Sequence, residues 1–139
     1  MAENTFMLEV VTPEQILFKD EVQFMVAPGV EGELGVMRNH APLVAALKIG
    51  VLRYKDAGGS QKRMALSGGF IEVVDNTARI LAETAEDGDE IDILRAKAAK
   101  ERAERRIAER DENINYTRAH MSLQRAITRL RAADAKFDQ

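Results

Sequence analysis

The sequence contains no cysteine. That absence excludes a disulfide scaffold, a thiolate metal site and a cysteine nucleophile, and it favours a reducing compartment. Histidine is nearly as scarce: His40 and His120 stand far apart, and neither has a second metal-ligating side chain at a ligand spacing. Long hydrophobic runs are missing too. The longest plainly apolar run, Leu43 to Leu47, falls far short of the ~20 residues of a membrane span. The start, Met1-Ala2-Glu3-Asn4-Thr5, lacks the basic and apolar regions of an export signal, so neither export nor insertion into a bilayer is expected. Net charge is also small. Twenty basic and twenty-three acidic side chains leave −3, which makes no electrostatic case for nucleic acid or an anionic membrane surface. Phosphate loops of the Walker type, a Gly-x-Gly-x-x-Gly fingerprint, a Gly-x-Ser-x-Gly elbow and a zinc signature are all absent. Ser67, His40 and carboxylates occur without the order of a catalytic triad, so a binding or regulatory module is expected.

What is present divides sharply. The chain has 139 residues, 45% hydrophobic and 31% charged, a size and composition that suit one folded unit with at most a small second one. All nine glycines and all three prolines lie at or before Gly88, and every valine at or before Val74, whereas ten alanines crowd into Asp89 to Gln139. The first part is acidic and the second basic: eight basic against thirteen acidic residues up to Gly88, twelve against ten after it. Valine and glycine mark short strands and tight turns; alanine with arginine, lysine and glutamate marks helix. The division predicts a β domain over 1–86 and a helical domain over 89–139.

In the first part Phe6, Leu8 and Val10 alternate with Met7, Glu9 and Val11; Val22, Phe24 and Val26 repeat the pattern, as do Ile71 with Val73 and Ala78 with Ile80. Turn signals fall at Pro13-Glu14, Pro28-Gly29, Gly32, Lys48 to Gly50, Asp56 to Ser60, Gly68-Gly69 and Asp75-Asn76. That spacing predicts about nine short strands in an antiparallel β-sandwich or flattened barrel.

In the second part Asp89 is expected to cap a helix whose first turn holds Glu90 and Asp92 and which runs to about Arg110. Asp111 to Asn115 reads as a connection, with Asn113 or Asn115 capping a second helix to about Lys136. On that helix Tyr116, Ala119, Leu123, Ala126, Ile127, Leu130, Ala133 and Phe137 form an apolar stripe. The first helix offers Ile91, Leu94 and Ala98 on one face and Ala96, Ala99, Ala103 and Ile107 on another. An antiparallel hairpin follows, and its small side chains bury little area, so it is expected to be mobile.

Two arginine stripes share one spacing, i, i+7, i+11: Arg95, Arg102 and Arg106, then Arg118, Arg125 and Arg129. The ordinary reading is a solvated face with pairs such as Glu101 with Arg105. On the second helix no acid stands at i±3 or i±4 of its three arginines, so that face would also suit an acidic surface or a polyphosphate. The acids from Glu86 to Asp92 lack the ligand spacing of a calcium loop, and no metal is expected there.

Glu31-Gly32-Glu33-Leu34-Gly35-Val36, His40-Ala41-Pro42-Leu43, Ser67-Gly68-Gly69-Phe70 and Ile91-Asp92-Ile93-Leu94-Arg95-Ala96 follow one another across nearly the whole chain. In these motifs and their order the chain resembles the epsilon subunits of F-type ATP synthases. The resemblance implies a non-catalytic rotor subunit that couples rotation to proton-driven ATP synthesis. It would sit, as a peripheral protein, at the cytoplasmic face of a bacterial inner membrane. The sandwich would contact the gamma (shaft) subunit and the membrane rotor ring through Glu31, Gly32, Glu33 and His40. In the extended state the hairpin would inhibit ATP hydrolysis by bringing Arg118, Arg125 and Arg129 to the alpha and beta subunits, where they would meet acidic segments of beta.

The resemblance also implies a regulatory ligand in the folded state, ATP or MgATP, and no required cofactor. Ile91, Asp92, Arg95 and Ala96 match the family's ATP-binding pattern, with Arg102, Arg125 and Arg129 as supporting arginines and Glu86 as a further acid. A free-standing cytosolic ATP-sensing module is the alternative expectation, and an enzyme of another type the third.

Overall fold

A computed structural model describes residues 4–109 and 115–133 of the chain. The first part folds into strands β1 (Phe6–Val11), β2 (Ile16–Gly29), β3 (Gly32–Val36), β4 (Leu43–Asp56), β5 (Gln61–Val74), β6 (Thr77–Ala82) and β7 (Ala85–Asp87). A 3-10 turn (Gly88–Glu90) then leads to helices α1 (Ile93–Glu109) and α2 (Tyr116–Ala133). The sheet runs β1-β6-β5-β4-β2-β3, and β1 also pairs with β2, so the sheet closes on itself as a flattened barrel. The β1–β2 pairing leaves β1, the end of the sheet order, without an open edge. Every pairing is antiparallel except that of β1 with β6, which is parallel.

The described residues hold seven strands where turn spacing suggests about nine. The reason lies in what glycine and proline do here. Lys48 to Gly50 and Gly68-Gly69 fall inside strands of 14 residues each, whereas Pro28-Gly29 ends β2 at the turn into β3. β5 shows the use of such an interior glycine pair: Met64 to Leu66 pair with β7, Gly69 to Val74 pair with β6, and the positive φ values of Gly68 and Gly69 separate the two stretches. Asp75 and Asn76, both at positive φ, make the two-residue turn between Val74 and Thr77 that suits the twist of a hairpin.

Phe6, Leu8, Val10, Val22, Met25, Leu52, Leu66, Ile71 and Ile80 are the interior of the sandwich, all essentially without solvent contact. The alternation expected for β1, for the end of β5 and for β6 therefore points the right residues inward. In β2 it does not. Val22 is buried, but Met25 and Ala27 follow it inside rather than Phe24 and Val26. The register with β4 shifts between Val22 and Phe24, and one extra residue in a strand exchanges its two faces.

α1 also departs from expectation at its start, whereas α2 starts as expected. Asp89 does not cap α1: it sits in the 3-10 turn, its backbone N–H donating to Asp87 Oδ1 at 2.9 Å. Asp92 is the cap, its Oδ1 accepting from Arg95 N at 3.0 Å while its carbonyl accepts from Ala96 N. So Glu90 and Asp92 precede the first turn of α1 instead of filling it. Asn115 caps α2, accepting from Arg118 N at 3.0 Å; Asn113, Arg110, Lys136 and Phe137 lie outside the described residues. Ala96 and Ala103 of α1 are buried, while Leu94 is 79% exposed, so the alanine face of α1 is the one that packs on α2. α2 in turn lies on β4 and β5, and its Ala119, Ala126, Thr128 and Ala132 are buried.

Candidate functional site

The site is built where the sandwich passes into the hairpin. Glu86 is in β7, Glu90 ends the 3-10 turn, Ile91 and Asp92 link it to α1, and Arg95, Ala96, Ala99 and Arg102 are on one side of α1. With Arg129 from α2 these residues line a cavity of about 400 Å³. Ile91 is buried, and its backbone N–H reaches the Gly88 carbonyl oxygen at 3.5 Å, which closes the turn and aims the chain into α1. Arg129 Nε donates to Glu86 Oε1 at 2.9 Å, an ion pair between α2 and β7 with both side chains partly exposed.

A second cavity of about 240 Å³ lies between the helices and shares Ala99, Arg102 and Arg129 with the first. Ala103, Arg106, Ala119, Ser122 and Arg125 complete it, and Arg125 Nη2 donates to Ser122 Oγ at 3.2 Å. The two together make one groove with graded charge. Glu86, Glu90 and Asp92 stand at the junction end; at the hairpin end Arg102, Arg106, Arg125 and Arg129 line the wall, with Arg129 paired to Glu86. A ligand with a hydrogen-bond-donating head and an anionic tail matches that gradient.

Of the residues singled out in the sequence, Glu86, Ile91, Asp92, Arg95, Ala96, Arg102 and Arg129 come together on the first cavity and Arg125 on the second. Arg118 lines neither; it is exposed in the first turn of α2. Glu90, Ala99, Arg106 and Ser122 also line the groove and were not assigned to it by sequence. Arg106 had a signal, since it continues the stripe of Arg95 and Arg102, and Ala99 follows Ala96 at the next helical turn. Ser122 had none.

The expected contact residues of the sandwich are elsewhere. Glu31, Gly32 and Glu33 are exposed at the tip of the β2–β3 hairpin, with Gly32 at φ 132. Glu33 is held by Arg53 at 2.8 Å. His40 lies between β3 and β4 with Nδ1 2.6 Å from the Ala41 carbonyl oxygen. The outer face of the barrel carries a row that strand register alone makes visible: Ala46, Phe70, Leu81, Val11 and Ile16 stand opposite one another in turn across five strands. Phe70 is 57% exposed and Ile16 59%. Beside this apolar row Glu9 is buried between Arg79, at 3.0 Å, and Lys19, at 3.6 Å. The Arg79 hydrogen bond, together with the two positive charges, outweighs desolvation and holds the Glu9 carboxyl below its usual range.

Comparison with known proteins bears on residues 5–134. The family profile for the ATP synthase delta/epsilon chain beta-sandwich domain matches residues 5–88, and that for the ATP synthase delta/epsilon chain long alpha-helix domain matches residues 89–134. The chain is 72% identical over 134 residues to the ATP synthase epsilon chain of Syntrophomonas wolfei, covering 96% of this chain and 98% of that one. It is 49% identical over 131 residues to the ATP synthase epsilon chain of Desulforamulus reducens, with coverage of 94% and 98%. Among solved structures it resembles a chain of the Euglena gracilis mitochondrial ATP synthase, determined as an OSCP/F1/c-ring assembly, with a TM-score of 0.77 and 25% identity over 89% of this chain and 78% of that chain.

Proposed function

The chain belongs to the ATP synthase epsilon chains, the central-stalk members of the delta/epsilon family, and from that premise we propose that it is a non-catalytic rotor subunit whose hairpin regulates ATP hydrolysis and is held folded by ATP. On this reading the sandwich does the coupling. It binds the gamma subunit and the membrane rotor ring, as a peripheral protein at the cytoplasmic face of a bacterial inner membrane, in an enzyme driven by protons. The apolar row through Phe70 and Leu81 supports a protein partner on that face, because so continuous an exposed strip is costly to leave in water. The exposed hairpin tip at Glu31 to Glu33 supports a second contact, with His40 nearer the shaft. Among the described residues no helix is long and apolar enough to cross a membrane.

The observation that carries the regulatory part is the convergence of Glu86, Asp92, Arg95, Arg102 and Arg129 on one cavity that both the junction and α2 line. Arginine forks suit phosphate oxygens, and the end rich in arginine would take the triphosphate. Asp92 repels phosphate, and one of its oxygens already caps α1, so the other would accept from the adenine amino group or the ribose. Glu86 occupies Arg129 without ligand, and a bound phosphate would compete with it for that guanidinium. A ligand that binds only the docked hairpin stabilises it by RT ln(1 + [L]/Kd), about 2.7 kcal/mol at a hundredfold excess over Kd. Set against a hairpin packed through alanines, that is enough to decide its position. Undocked and extended, the hairpin would reach the alpha and beta subunits, where Arg118, Arg125 and Arg129 would meet acidic segments of beta.

Calorimetry on the isolated chain tests the reading. Millimolar ATP should give heat without phosphate release, and the Asp92→Ala, Arg95→Ala double variant should give none. Absence of binding in the unaltered chain, or equal binding in the variant, would remove ATP from the account.

A further inference from the structure

Gly88 is buried at the start of the 3-10 turn, where the sandwich ends. A methyl group built on its α-carbon would run into the carbonyl oxygen of Ala132 in α2 and would stand 3.2 Å from the Arg63 carbonyl oxygen on β5. Gly88 is not among the glycines at positive φ, so its backbone does not require glycine; the close approach of α2 does. Two further contacts hold the same end of that helix. Arg63 Nη1 donates to the Arg131 carbonyl oxygen at 3.2 Å, which places a cation beside the last described turn of α2. Ala132 packs with Ala65 and Ile91 in an apolar cluster separate from the barrel core.

We infer that Gly88 and Arg63 form a clasp on the C-terminal end of α2, which docks the hairpin with no nucleotide bound and positions Arg129 against Glu86 in the cavity. Arg129 is one turn before the clasped residues, so a shift of that end moves its guanidinium away from the junction. Gly88 and Arg63 are positioning residues: neither lines the cavity. Only the consequence for ligand affinity rests on the nucleotide reading above.

The chain has no native cysteine, so spin labels at Glu72→Cys and Gln124→Cys, both exposed, report the separation of sandwich and α2 in the full chain. Without nucleotide the parent should show one short distance. Gly88→Ala should move most molecules to longer, broader distances, and Ala132→Leu, which alters the helix side of the contact alone, should do the same. Arg63→Gln should shift the distribution in the same direction by less. In each case the cooperative unfolding of the sandwich should remain. Parental distances in both Gly88→Ala and Ala132→Leu would overturn the clasp, and parental distances in Arg63→Gln would remove Arg63 from it. If Gly88→Ala disrupts the sandwich itself, Ala132→Leu decides. With ATP, a docked fraction reduced to about a tenth weakens apparent affinity about tenfold. Because the distances are read without nucleotide, failure of the parent to bind ATP would sink the nucleotide site and leave the clasp standing.

Discussion

The barrel and the hairpin are held by different kinds of contact. The barrel interior is filled by Phe6, Leu8, Met25, Leu52, Ile71 and Ile80, drawn from five strands that close on one another. The hairpin buries mainly alanines, Ala96 and Ala103 on α1 and Ala119, Ala126 and Ala132 on α2, and reaches the barrel through α2 alone among the closely packed element pairs. At about 25 cal/mol per Å² of apolar surface, a methyl-sized side chain contributes a fraction of what a leucine or phenylalanine does. Large residues therefore make a permanent core in one half. Small ones make a close but weak contact in the other, which is the packing that the proposed undocking of the hairpin calls for.

Four kinds of change would break or sharpen that contrast. Phe6→Ala empties a site that is 1% exposed and should cost about 3–5 kcal/mol in denaturant unfolding, whereas Leu94→Ala, 79% exposed on α1, should stay within about 0.5 kcal/mol. Equal losses at the two positions would mean that the hairpin shares the barrel's core. Next in size is Ala126→Leu, at a fully buried position of α2. Overpacking there should cost about 1–3 kcal/mol and should appear as loss of amide protection in α1 and α2, with β5 unchanged; lost protection in β5 would contradict the separation.

The helix caps come third. Asp92→Ala and Asn115→Ala each remove the acceptor for a backbone N–H in the first turn, and each should lower hairpin stability by about 1 kcal/mol, read by helical circular dichroism on mild heating. Asp89→Ala serves as the control, since Asp89 caps neither helix, and should leave helicity unchanged.

The last effects emerge only when pH is varied, and they belong to the barrel. The Arg79 guanidinium holds the Glu9 carboxyl below its ordinary range in the fold, so its contribution is present above the unfolded pKa and is lost as pH falls through the folded one. Arg79→Gln should flatten that acid limb of the stability curve. Tyr54 behaves oppositely. Burial, with Asp87, Asp56 and Asp89 adding, pushes its hydroxyl up to about 12 from 10.0, so the neutral form is favoured in the fold and stability declines as pH rises from about 10 through 12. Tyr54→Phe should remove that alkaline decline in a pH series of thermal unfolding.

By itself the sequence determined what depends on neighbours within a few residues. The loss of glycine, proline and valine around Gly88 marks the change from strand to helix, because those residues act on their own backbone. The alternation in β1 and β6 and the Asp75-Asn76 turn were legible for the same reason, as was the helical spacing that puts Arg95 and Arg102 on one face. Ile91-Asp92-x-x-Arg95-Ala96 was legible as a pattern. Only the tertiary structure decided what depends on distant partners. The bulge that turns Met25 and Ala27 inward in place of Phe24 and Val26 answers to β4, some thirty residues along the chain. The parallel pairing of β1 with β6 brings together the two ends of the barrel, and the apolar row from Ala46 to Ile16 exists only in that register. Glu86 and Arg129 meet across 43 residues because α2 folds back over the junction, where Gly88 leaves room for it. Local sterics choose strand, turn or helix; burial of area from remote segments chooses which faces meet, and a pattern of period two or 3.6 contains no record of that choice.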